Sequence, residues 1–260
     1  MHGLEQLFRW IHVFAGITWI GLLYFFNFVN GPFAGTLDAD SKKKVVPELM
    51  PRALFWFRWG AAYTWITGVL LLGIVFYSQA GAFLGPPKAG KPPTIVMLLV
   101  TFLAVFLYDP IANSGIGKNV KALATIGFIF VAIDLYVMKN WADFDYRSYL
   151  IHVGAMFGTI MAFNVWFRIW PNQKKIITAV KNGEPPDAGV VAVAGARSRH
   201  NTYLSLPLIW TMLNTHADYF AGGNLGIPEQ WAWTTMLVVI LLGWHIIWQC
   251  YKRAGKVKGF

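Results

Sequence analysis

The chain has 260 residues, of which 56% are hydrophobic, 17% aromatic and only 13% charged. A soluble domain carries roughly 25% charged residues and a disordered one is charge-rich and poor in aromatics, so the composition disfavours the first class and excludes the second. The formal net charge of +10 would suggest nucleic acid in a soluble protein; in so apolar a chain it suggests basic loops held on the cytoplasmic side of a membrane.

A helix crossing the hydrocarbon needs about 20 mostly apolar residues. In chain order the candidates are Leu7–Val29, Ala53–Tyr77, Thr94–Tyr108, Val120–Met138, Tyr149–Trp170, Tyr203–Tyr219 and Trp231–Tyr251. The sixth is the weakest, because Pro207, Asn214 and His216 interrupt it. The first run is too long and too aromatic for a cleaved signal peptide and reads as a retained helix. Gly85-Pro86-Pro87 to Lys91-Pro92-Pro93 reads as a turn-rich loop, and Gly183-Glu184-Pro185-Pro186-Asp187 punctuates the longest connection. The basic segments Ser41–Met50 and Asn172–Asn182 read as interfacial helices lying on the headgroups. No repeat and no soluble segment stand out. The expectation is an all-α integral membrane protein, a seven-transmembrane-helix bundle forming a single domain over residues 1–260.

The basic residues orient that bundle. Of the 22 Lys+Arg, only Arg9, Lys88, Lys91, Lys139 and Arg147 fall on the N-terminal side of a seven-span layout; all others fall on the opposite side. The positive-inside rule then places the N-terminus in the periplasm and the C-terminus in the cytoplasm of a bacterial inner membrane. An even number of spans would mix the two groups. The charge needs no nucleic acid to explain it.

Cys250 is the only cysteine. That excludes an internal disulfide, a four-cysteine metal site and, with no C-x-x-C-H, covalent c-type haem. The notable ionisable residues of the spans are His12, Arg58, Asp109, Asp134, His152, His200, His216 and His245, and polar groups at membrane depth usually mark function. Topology sorts the histidines into an outer layer (His12, His152, His216) and an inner one (His200, His245). Two layers of imidazoles on different helices are what a b-type cytochrome uses as axial ligands for one or two haems.

Gly16, one turn after His12, and the Gly154/Gly158 pair beside His152 would let a flat macrocycle approach; the pair also reads as a helix-packing face. Arg9 and Arg58 could pair with propionates or an anionic substrate, or snorkel to headgroups. Asp109, before Pro110, reads as a helix end at the cytoplasmic surface. Three imidazoles could equally hold zinc or copper, though no H-x-x-x-H pair strengthens that reading. No paired carboxylates suggest an ion pump, and Gly222-Gly223 lacks the context of a phosphate loop.

Two segments carry a resemblance. Arg9-Trp10-Ile11-His12 through Gly16, Trp19 and Gly21 to Val29 is one; Ser198-Arg199-His200-Asn201-Thr202-Tyr203-Leu204-Ser205-Leu206-Pro207 with Asn214-Thr215-His216 is the other. Both, with Arg58-Trp59-Gly60-Ala61-Ala62-Tyr63-Thr64-Trp65, resemble the membrane domain of bacterial membrane-bound urate oxidases, the urate oxidase N-terminal family. His-x-x-x-Gly-x-x-Trp-x-Gly in the first span is more distantly similar to the first helix of membrane protoporphyrinogen oxidases. His12, His200 and His216 match the family pattern most clearly.

The resemblance implies oxidation of urate to 5-hydroxyisourate, with electrons passed to a cytochrome c rather than to oxygen. It also implies a further span and a fused cytochrome c domain, and this sequence contains neither. The expected partner is therefore a separate cytochrome c or other respiratory-chain subunits, with a small-molecule reductant. The alternatives are a non-catalytic electron-transfer or assembly subunit of a larger respiratory complex and, with no repeat to support it, a transporter.

Overall fold

The computed structural model describes residues 2–78, 91–215 and 227–259. His216, the Gly85-Pro86-Pro87 turn with Lys88, and Gly222-Gly223 lie outside the described residues. Among the described residues ten α-helices run in chain order: α1 His2–Tyr24, α2 Gly31–Thr36, α3 Ala39–Leu72, α4 Lys91–Asn113, α5 Gly115–Lys118, α6 Val120–Asn140, α7 Tyr146–Phe163, α8 Trp170–Asn182, α9 Ala188–Asn214 and α10 Thr234–Ala254. No strand forms among the described residues. Wider π-helical turns extend three of these elements: Phe25–Asn30 joins α1 to α2, Gly73–Tyr77 continues α3, and Asn164–Ile169 joins α7 to α8.

The polar residues that precede the helices explain where several begin. Asp38, Asn119, Asp145 and Asp187 each accept a backbone N–H three residues on, from Ser41, Ala122, Ser148 and Val190. This satisfies a donor that the first helical turn leaves open. Ser41 also donates its hydroxyl to Asp38. The two bonds, the backbone N–H first, hold the exposed Asp38 carboxyl below the usual carboxylate range. Pro92 and Pro93 fall in the first turn of α4, where no N–H is required, so this part of the expected loop is helix. Gly183 ends α8 with φ +79°, in the left-handed region that favours glycine.

Among the described residues six helical stretches are long and apolar enough to cross a membrane: Gly3–Thr36, Ala39–Tyr77, Pro92–Asn113, Val120–Asn140, Tyr146–Asn182 and Thr234–Ala254. The fifth buries 67% of its apolar stretch and the others 17–28%, so the fifth is the most buried of the six and the rest keep broad apolar outer surfaces. Neither expected interfacial helix is separate. Ser41–Met50 is the beginning of α3, which runs for 34 residues through Pro47 and Pro51. At 1.5 Å per residue it measures roughly 50 Å against a hydrocarbon layer of about 30 Å, which leaves its basic first turns for the interface. Asn172–Asn182 likewise lies in α8, continuous with α7 through the π-turns.

Asp109 corrects another expectation. It is 7% exposed, and α4 continues past Pro110 to Asn113, whose amide donates to the Asp109 carboxylate at 3.4 Å. Proline removes its own backbone donor and crowds the carbonyl four residues back, yet the helix continues past it.

The sixth expected span, Tyr203–Tyr219, falls on α9 as far as Asn214, with residues 216–219 outside the described residues; α9 itself is 27 residues long and outside the six apolar stretches. Five of its polar residues are buried rather than solvated: Arg197, Asn201, Thr202, Ser205 and Thr211 are each at most 1% exposed. Thr202, Ser205 and Thr211 hand their hydroxyls to carbonyls of their own helix. Low apolarity here reflects internal hydrogen bonding.

The chain clusters into two compact units, each assembled from separated stretches. One contains Val69–Ile160 and Leu206–Gly243; the other contains His2–Gly68, Met161–Ser205 and Trp244–Phe260. Neither is continuous in sequence, so no single boundary divides the chain into successive domains. In the first, glycines of α7 meet α9: a Cβ at Gly154 would strike the Thr211 hydroxyl, and one at Gly158 would touch Leu208. That is the packing-face reading of the pair. In the second, α1 and α3 approach closely at Gly60, where a Cβ would stand 3.2 Å from the Ala15 carbonyl and the Trp19 nitrogen.

Candidate functional site

His12 lies on the face of α1 that carries Ala15, Trp19 and Leu23, all at most 4% exposed. Its Nδ1 is 3.1 Å from the hydroxyl of Thr67 on α3. That hydroxyl has one proton and gives it to the Tyr63 carbonyl at 2.6 Å, so towards His12 it accepts. Nδ1 therefore carries the imidazole proton and Nε2 keeps its lone pair. An imidazole fixed in this way through its second nitrogen is the arrangement that metal-ligating histidines adopt. Gly68 makes room for the ring, since a Cβ there would stand 3.1 Å from His12 Cε1. Gly16, expected to admit a macrocycle, faces Thr64 of α3 instead, 3.9 Å from where its Cβ would be.

Trp19 is seven residues after His12, on the same helix face. It is 1% exposed, and its indole N–H has no hydrogen-bond partner. A buried donor without an acceptor costs about 1–3 kcal/mol. His12 and the orphaned indole N–H of Trp19 thus lie on one closely packed helix face.

His152 is built differently. It is fully buried in α7. Its Nδ1 contacts the Ser148 carbonyl at 2.7 Å, which can only accept, so Nδ1 donates. Nε2 then accepts from the Tyr77 hydroxyl at 2.8 Å. Phe144 packs on the ring at 4.8 Å between centroids. Both nitrogens are engaged, and the ring offers none to iron in this arrangement.

The other expected residues are dispersed. His200 is half-buried on α9. His245 is exposed on α10, 3.2 Å from the Gln249 amide. Arg9 is paired with Glu5 at 2.9 Å on its own helix. Asp134 is buried in α6, and its Oδ2 has no partner. His12, His200 and His245 fall in one compact unit and His152 in the other. Among the described residues no three His, Cys, Asp or Glu gather closely enough to hold a metal ion.

Arg58 sits in an aromatic setting. Its guanidinium stands 4.0 Å from the centre of the Trp170 ring, 5.7 Å from Phe55 and 5.8 Å from Trp166. Trp166 donates its indole N–H to the Arg58 carbonyl at 3.1 Å.

With this geometry in place, the profile of the urate oxidase N-terminal family matches residues 32–258. The chain belongs to that family. The match leaves out α1, so His12, Trp19 and Arg9 lie before the matched residues, and Arg58, His152, His200 and His245 lie within them. The chain matches no curated protein and no solved structure.

A polar cluster inside this urate oxidase N-terminal segment was not singled out from the sequence. Asn164, at the start of the π-turns after α7, donates to the Asn201 side chain at 2.9 Å. Asn201 donates to the Met161 carbonyl, and Arg197 donates to Asn164 at 3.3 Å. All three side chains are at most 1% exposed. Asn27, in the π-turns after α1, donates to Ser198 at 2.9 Å and accepts from the Tyr251 hydroxyl. The available signal was an asparagine at two places where an apolar helix widens into π-turns, which often mark functional sites. Thr67 and Tyr77, which settle the two imidazole tautomers, left none: they stand 55 and 75 residues from their histidines.

Proposed function

We propose that this chain is a membrane-embedded redox enzyme of the urate oxidase N-terminal family that oxidises urate to 5-hydroxyisourate and passes the electrons to a cytochrome c. Family membership supports the substrate class. The observation that carries the redox reading is the open Nε2 of His12, oriented by Thr67. The conversion adds one water to urate and releases two electrons and two protons, so two one-electron cytochromes are reduced per urate.

His12 would hold haem b through Nε2. When bound, the haem supplies one-electron transfer between substrate and acceptor. Thr67 holds the His12 ring in the tautomer that leaves Nε2 basic. Gly68 keeps the space beside Cε1 open, and Ala15 and Leu23 shield that face from water. His200 and His245, in the inner layer, would hold a second haem rather than share the one at His12, whereas His152 serves its bond to Tyr77. In this reading α9 is the seventh span, since 27 residues measure roughly 40 Å. The N-terminus is then periplasmic and the C-terminus cytoplasmic, as the basic residues require.

The test is the visible spectrum of the full chain purified in detergent from haem-replete cells, oxidised, dithionite-reduced and then urate-reduced without oxygen. A sharp reduced α-band that urate also produces, followed by reduction of added cytochrome c, is expected. A colourless protein overturns the haem assignment. A haem protein that urate cannot reduce, and that purifies with other subunits, is instead an electron-transfer component of a larger complex.

A further inference from the structure

The surroundings of Arg58 point to a binding site separate from the His12 face. The Arg58 Nε is buried and has no hydrogen-bond partner, so one of the most strongly donating groups in the chain is left unused. The Trp170 ring that supports its guanidinium at 4.0 Å also carries the Lys174 ammonium at 5.5 Å. Two cations thus share one indole, and like charges repel unless an anion sits with them. No carboxylate supplies it: the ion pairs among the described residues are Arg9–Glu5, Arg52–Glu48 and Lys139–Glu229.

The surrounding helices are those of a membrane interface. Lys174 is exposed on α8, as are Lys175 and Lys181, with Ile177 buried beneath them. Lys43 of α3 reaches the end of α8, its ammonium 3.4 Å from the Cβ position of Gly183. A cation there complements the negative end of the helix dipole. On the neighbouring turns Phe55, Trp56 and Phe167 are 44%, 59% and 62% exposed, the aromatic girdle that marks the headgroup level. A guanidinium stacked on indole keeps its planar donor edge for a phosphate, which it binds in bidentate fashion. Cationic pockets beside spans on the basic side of a membrane protein take anionic headgroups.

We propose that Arg58 and Lys174, supported on Trp170, bind the phosphodiester of an anionic phospholipid in the cytoplasmic leaflet. Arg58 donates from the guanidinium edge, Lys174 adds a point charge, and the girdle lies against the acyl chains. The site needs neither haem nor urate.

The test is native mass spectrometry of the full chain, delipidated and then supplied with phosphatidylglycerol or phosphatidylcholine. Phosphatidylglycerol should be retained selectively, and the Arg58→Gln/Lys174→Gln double variant should lose the preference by about twenty-five-fold, at roughly fivefold per cation. Lys174→Gln alone, at an exposed position, should lose about fivefold and remains informative if the double variant misfolds. Lys256→Gln, in the basic C-terminal tail, should retain the preference. Equal retention of both lipids overturns the proposal, as does an unchanged preference in the variants. Displacement of the lipid by millimolar inorganic phosphate would make this a free-phosphate site. An Arg58→Gln protein that keeps its lipid but loses its haem band would return the guanidinium to a propionate.

Discussion

His12 and His152 look alike in the sequence: each is an imidazole inside an apolar helix, with a glycine four or two residues on. In the structure they are opposites. Thr67 takes one nitrogen of His12 and leaves the other open. Ser148 and Tyr77 take both nitrogens of His152, and Phe144 covers the ring. An intramembrane histidine is therefore a ligand candidate only when the structure leaves a nitrogen unspent. Its depth in the membrane does not decide the matter.

The sharpest way to break the comparison is to remove each ring. His12→Ala should abolish the haem spectrum of folded protein, and His152→Ala should preserve it. The reverse result would exchange their roles. Thr67→Val removes the acceptor that fixes the His12 tautomer and should weaken haem retention about 10–100-fold, measured by haem titration of the apoprotein. Retention equal to the unmodified protein would mean that Thr67 does not orient a ligand.

Tyr77→Phe leaves the buried Nε2 of His152 without its donor. It should lower stability in detergent by about 1–2 kcal/mol without moving the visible bands. A band shift would place His152 at the iron. Gly68→Ala puts a methyl 3.1 Å from His12 Cε1 and should shift the reduced α-band while haem is retained. An unmoved band would take the ring away from the metal.

The smallest effect belongs to Asp38, far from either histidine. Its lowered carboxyl pKa contributes stability that is present above the ordinary carboxylate range and lost as the pH falls through the lowered value. Thermal unfolding of Asp38→Ala should therefore differ slightly from the parent at neutral pH and converge with it in acid. A difference that persists in acid would show that the cap acts without its charge.

Much of the fold was legible because its causes are local. Apolar runs of sufficient length locate the six apolar crossing stretches among the described residues; the caps at Asp38, Asn119, Asp145 and Asp187, which reach only three residues, were equally local signals but were not read from the sequence. Where local rules compete with packing, reading the sequence erred. Asp109-Pro110 reads as a helix end, yet buried packing carries α4 through it. Ser41–Met50 reads as a separate surface helix because it is basic, yet nothing stops its backbone from continuing into the span.

The sequence by itself determined the membrane class, the set of candidate histidines and the urate oxidase N-terminal resemblance, since these depend on composition, spacing and motif. Only the tertiary structure decided which histidine keeps a nitrogen free and which cations stand without an acid. A tautomer is set by whatever hydroxyl or carbonyl the fold brings within 3 Å, and Thr67, Tyr77 and Trp170 reach His12, His152 and Arg58 from 55, 75 and 112 residues away along the chain.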